Sequence, residues 1–199
     1  MSDNLPQALI DEFVGVAHGD AARVQELLAQ HPALLNARAS WNESALEAAA
    51  QIAQIALVEW LLAQGAPLDL CTAALLGKFE FVRERLLADP EQVNATGAHG
   101  LPLLYYAAIT GRRSIGKLLL TAGADVNTGE GTMTALHGAA LFGKARMTAW
   151  LLEFGASVHA KNYEGKTPLQ LAEEKGHQEV ADLLKRHEEK SFAKEQEHV

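Results

Sequence analysis

Apolar residues in this chain alternate between two kinds of cluster. One is short and rich in small residues, as at Ala49-Ala50, Ala73-Ala74, Ala107-Ala108 and Ala139-Ala140. The other is rich in large side chains, as at Trp60-Leu61-Leu62, Leu118-Leu119-Leu120 and Trp150-Leu151-Leu152. The first kind predicts a helix that its neighbours approach closely, and the second a helix buried against them. Gly77, Gly111, Gly143 and Gly176 stand where the first helix of each pair must end in a residue of positive φ. The pattern therefore predicts a succession of short helix pairs joined by turns.

The pairs are copies of one unit. The stretch from Thr134 to Ala156 reads TALHGAALFGKARMTAWLLEFGA; it returns 33 residues later as TPLQLAEEKGHQEVADLLKRH and stands 32 residues earlier as PLLYYAAITGRRSIGKLLLTAGA. A period in the low thirties is the signature of a repeat array. Thr134 and Thr167 are placed to cap the first helix, and Pro168 suits a first helical turn, where its missing N–H costs nothing. One such unit cannot bury its apolar face alone, so units must stack.

These residues resemble the ankyrin repeat, with its TPLH turn, small pair, glycine, leucine run and closing Gly-Ala. The resemblance covers the chain from Leu9 to His187. It implies an all-α ankyrin repeat solenoid of about six helix-turn-helix units with short β-hairpin fingers. The units fall at 9–37, 38–68, 69–95, 96–127, 128–159 and 160–187, between a lead-in at 1–8 and a charged tail at 188–199 that extends the last helix or frays. The Asp-Pro-x-x-Val-Asn close after residue 88 is similar to that of small stand-alone bacterial ankyrin proteins.

Several units depart from the pattern. The first closes on HPALLNA, with Leu35 expected in the apolar slot. In the second, Ser44 takes the capping place and Ala53 the helix-ending glycine place. Asn42 stands where the finger prefers glycine, and asparagine tolerates the left-handed conformation best among the alternatives. From Gly65 to Ala73 is 8 residues, against 16 from Gly123 to Ala139, so the finger between Leu68 and Thr72 is expected to be missing. Glu173 replaces the second small residue of the last unit, as expected where a terminal unit meets water.

Charge narrows the function. A net charge of −8 and a pI near 5.5 argue against general binding to nucleic acid or anionic lipid, which need a basic surface. Cys71 is the single cysteine, so no internal disulfide forms, in keeping with a reducing compartment. MSDNLPQALIDEF has no basic n-region and is not a secretory signal; no uninterrupted apolar run reaches the length of a membrane span. The expected location is the cytoplasm.

No catalytic or metal-binding motif is visible, and no cofactor is expected. The eight histidines show no HExxH or other convergent spacing. His137 and His177 occupy turn positions where a structural role is expected; His18 and His99 fall where relatives face a partner. The glycines of 128–132 lack the strand, lysine and helix of a phosphate loop. Ser44 and Ser114 lack a nucleophile elbow, and Cys71 is expected to be a buried thiol.

In the family the two residues before the helix-ending glycine face the concave groove. This implies an apolar row of Ile52, Leu75, Leu76, Ile109, Leu141 and Phe142. Trp41, His99, Leu101, Met133 and Tyr163 join it at the fingertips, among polar neighbours that include Arg38, Glu43, Glu130, Lys161 and Lys166. Trp60 and Trp150 are expected in the core. The expected function is a non-enzymatic protein-interaction module holding a partner protein or peptide, as a monomer or homodimer. The alternatives are a homodimer built on the apolar row and, less favoured, a small-ligand or enzyme site near Cys71.

Overall fold

The computed structural model describes residues 5–196, with side chains described as far as Lys190. Residues 1–4 of the lead-in and 197–199 of the tail lie outside the described residues. The chain divides into two compact units, one ending at Thr72 and the other beginning at Ala73.

The first unit contains two helix pairs, α1 (Gln7–Val16) with α2 (Ala21–Gln30) and α3 (Ala45–Gln51) with α4 (Ile55–Ala63). Its core is Phe13, Val14, Val24, Leu34, Val58 and Leu61, each fully buried. The apolar slot of the first close is taken by Leu34 rather than Leu35. A 3-10 turn at Pro32–Leu34 swings Leu34 inward and leaves Leu35 half-buried. Helix α5 (Leu70–Leu76) starts five residues after Gly65. The missing finger is a tight connection, Ala66-Pro67-Leu68-Asp69, that feeds directly into the helix. Asp69 caps it, accepting from the Thr72 amide at 2.8 Å and the Thr72 hydroxyl at 2.6 Å. A carboxylate there satisfies amides that the helix itself leaves orphaned.

In the second unit, α6 (Phe79–Ala88) is followed by α7 (Leu103–Ile109) with α8 (Arg113–Thr121), α9 (Ala135–Leu141) with α10 (Ala145–Glu153), and α11 (Pro168–Glu174) with α12 (Gln178–Gln196). First helices α7, α9 and α11 pack side by side, and second helices α10 and α12 pack on each other. The tail continues α12 as far as the structure is described. Contact between α7 and α9 is possible because Gly138 has no side chain. A Cβ there would lie 2.8 Å from both the Tyr105 ring and Ile109 Cγ2. Gly116 on α8 likewise makes room for the Trp150 ring.

Each unit also ties its helix ends together. Gln54 Nε2 donates to the Ala17 carbonyl, Arg112 Nε to the Leu75 carbonyl and His177 Nε2 to the Leu141 carbonyl, at 3.3, 3.4 and 3.1 Å. In each case the side chain just after one helix-ending turn satisfies a carbonyl that the preceding first helix cannot bond itself. Such a bond contributes about 1 kcal/mol net, but it also fixes the register of one repeat on the next.

The fingers are tight turns rather than ladders. Few backbone bonds close them: the Ala39 amide to the Glu43 carbonyl at 2.8 Å, Gly97 to Leu101 at 2.9 Å with Leu103 to Ala95 at 3.0 Å, and Asn162 to Lys166 at 2.9 Å. The one β-bridge among the described residues joins Thr96 and Pro102. Asn42 and Ala53 both adopt positive φ, 62° and 56°, so the turn geometry of the family persists where its glycine does not.

Candidate partner-binding site

The paired residues before each helix-ending turn divide into an inner and an outer member. The inner members Ala17, Gln51, Leu75 and Ile109 are buried, whereas the outer members His18, Ile52, Leu76 and Thr110 are half-buried. Leu75 and Ile109 therefore belong to the core and not to an accessible row. Ile109 fills the space over Gly138, and the Leu75 carbonyl is fixed by Thr110 Oγ1 at 2.9 Å. Leu141 and Phe142 both remain half-buried. In the second unit the accessible apolar members are thus Leu76, Leu141 and Phe142, and in the first unit Ile52.

The fingertip residues divide in the same way. Tyr163 is 71 % exposed and Trp41 45 %, while Leu101 and Met133 are 7 % and 6 % exposed and belong to the core. His99 is exposed, at φ 56°. Met133 is drawn under its finger, where Asn162 Nδ2 donates to its sulfur at 3.6 Å. The same Asn162 accepts from the Glu164 and Lys166 amides at 3.0 and 2.9 Å. That polar knot is a rigid base for Tyr163. Beside it Lys166 lies 2.8 Å from both Glu164 and Glu174, and its ammonium holds the Glu164 carboxyl below the usual carboxylate range.

In the first unit Glu43 is not a rim charge. It is 1 % exposed and accepts from the Trp41 indole N–H at 2.7 Å and from Gln51 Nε2 at 2.8 Å. His18 Nε2 stands 3.6 Å from it. A buried carboxylate needs such donors, and here they orient the Trp41 ring. Arg38 reaches back along its finger to Asn42 and Glu47, the latter at 2.9 Å.

Two tryptophans expected in the core are only half-buried. Trp150 covers Gly116 and packs against Phe154, with ring centroids 4.7 Å apart, and Trp60 lines a cleft between α2 and α4. Cys71 is buried, and burial pushes its thiol up, reinforced by the charges of Asp69 and Glu47. A reactive cysteine needs the opposite environment. His137 Nε2 bonds the Lys166 carbonyl at 3.0 Å while Nδ1 receives the Thr134 amide at 3.2 Å, the structural role its position predicts.

Residues 119–172 match the family described as ankyrin repeats (many copies). Cyclin-dependent kinase 4 inhibitor B of Bos taurus is 34% identical over 125 residues, which are 61% of this chain and 92% of that protein. The chain belongs to the ankyrin repeat family. Ankyrin repeat and SOCS box protein 9 of Homo sapiens is 43% identical over 72 residues, and E3 ubiquitin-protein ligase Ufd4 of Drosophila melanogaster 38% over 108. The chain spans 24% and 4% of those two proteins, and 36% and 53% of its own length is matched. Ankyrin repeats mediate protein–protein interaction. No helix among the described residues is long and apolar enough to cross a membrane.

Proposed function

We propose that this chain is a non-enzymatic binding module that takes a partner protein against the first helices of its second unit. The contacts are Leu76, Leu141 and Phe142, with His99 and Tyr163 at the fingertips; Ile52 and Trp41 are the corresponding contacts of the first unit. The observation that carries this reading is the exposed Tyr163 on a finger fixed by Asn162, beside helices whose outer apolar residues stay accessible. Large aromatics with apolar neighbours and a polar rim are the usual composition of binding hot spots. A scaffold fixed by inter-repeat hydrogen bonds loses little freedom on binding.

The name of the bovine relative supplies a first defined partner to try, a cyclin-dependent kinase. The test is capture of that kinase, and of proteins from a native lysate, by wild type and by Phe142→Arg and Tyr163→Ala variants of unchanged helicity. A stoichiometric partner held by wild type and lost by both variants is the expected result. Equal capture by all three moves the site elsewhere. A wild-type dimer in light scattering that Phe142→Arg breaks, with no partner captured, replaces this reading with self-association.

A further inference from the structure

The last helix departs from its predecessors in length. Helices α4, α8 and α10 have 9 residues each, and α12 has 19. Arg186 stands one period, 33 residues, after Glu153, the last residue of α10. The final turns of α12 therefore run past the end of the helix they pack on.

Between these two helices lies a cleft of about 240 Å³. Its floor is apolar, made by Ala149 and Leu152 of α10 and Leu183 of α12; its rim is Arg186, His187 and Lys190 on α12, facing Glu153 on α10. Leu183, Arg186, His187 and Lys190 stand at i, i+3, i+4 and i+7 of the helix, which puts them on one face. Arg186 Nε donates to the Asp182 carbonyl at 3.0 Å, and among the described residues no carboxylate pairs with Arg186 or Lys190. Lys185, on another face, is bound to Glu173 at 2.6 Å. Two cations with no carboxylate partner among the described residues, beside an apolar floor, are a local exception in a chain of net charge −8.

We propose that this cleft is a second docking site, separate from the first-helix site, and that its occupant is an acidic amphipathic segment of a partner protein. A branched apolar side chain of that segment sits against Ala149, Leu152 and Leu183, and flanking carboxylates meet Arg186 and Lys190. The charge selects the occupant, because a basic segment would find only Glu153 to answer it. The volume does so too, being below the roughly 300–1,000 Å³ of small-molecule pockets and suited to one or two side chains. Ridges of an amphipathic helix entering a groove between helices are an established mode of recognition.

The test is fluorescence anisotropy of the full chain with a labelled synthetic peptide of repeating Glu-Leu-Leu-Asp units. Saturable binding is expected, weakened on the order of tenfold by Arg186→Glu with Lys190→Glu, as loss of paired charge contacts gives. A peptide with Gln and Asn in place of its acids binds weakly in the same assay. Lys117→Glu, an exposed cation on α8 outside the cleft, leaves the affinity unchanged. Should the double variant lose helicity, Arg186→Gln with Lys190→Gln makes the same comparison. The proposal is overturned by absence of saturable binding, by equal affinity of wild type and cleft variants, or by equal loss in Lys117→Glu. Binding of phosphatidylserine vesicles but not the peptide overturns it as well.

Discussion

His137 puts a neutral imidazole at the third position of a capped helix, a place filled by Glu47 in α3 and Gln170 in α11. Burial lowers its pKa below the ordinary 6.5, partly offset by the Lys166 and Ala160 carbonyls and the charge of Glu130. The unfolded chain therefore takes up this proton first. The contribution to stability is complete above about pH 6.5 and is lost as pH falls from there through the folded-state value. Urea titrations at descending pH should show this loss. His137→Gln keeps a capping side chain of the kind at Gln170, does not titrate, and should fall less steeply than wild type below pH 6.5. A variant as steep as wild type would assign the pH dependence to other groups. Local rules made this residue legible, as they did Asn42. The buried state of Glu43 was not legible, because its donors Trp41 and Gln51 converge only in the fold.

Between elements, packing reverses a propensity. Alanine is favoured over glycine in a helix by about 1 kcal/mol, yet Gly138 lies mid-helix in α9 with the Tyr105 ring and Ile109 upon it. A methyl group there lies 2.8 Å from both, closer than real Cβ atoms come, and overpacking of this kind costs about 1–3 kcal/mol. Gly138→Ala is expected to destabilise by up to about 2 kcal/mol net, read from a lower urea midpoint or faster amide exchange in α7 and α9. An unchanged or higher midpoint would show that the two helices have slack. The sequence advertised Ala139-Ala140 as the close contact; it had no signal that the glycine before them carries the approach of α7 to α9.

At the scale of the molecule, charge is distributed unevenly. Residues 1–72 contain 2 basic and 9 acidic residues, and residues 73–199 contain 15 and 16. The first unit thus carries −7 of the total −8, and its two arginines are already paired, Arg23 with Glu12 and Glu26 and Arg38 with Glu47. Self-repulsion of like charge destabilises a compact state, and salt relieves it as the Debye length shrinks from about 30 Å at 0.01 M to about 8 Å at 0.15 M. Hydrogen exchange over that range should show protection rising in α1–α4 and changing little in α7–α11. A uniform response would count against charge as the cause.

By itself the sequence determined the repeat, its period, the helix pairs, the Ser44, Thr134 and Thr167 caps and the finger missing before α5. Each of these depends on residues close in the chain, where hydrogen-bond chemistry and positive-φ turns are set locally. Which member of each pair faces outward was decided by the tertiary structure. Ile109 and Leu75 read the same as Ile52 and Leu76 in sequence, but a helical residue's exposure depends on the neighbouring helix lying over it. Likewise, Trp150 is placed by the absence of a side chain at Gly116, and the cleft between α10 and α12 exists because one helix outruns the other. Stacking joins residues about 33 positions apart, and only folding brings them within reach of each other.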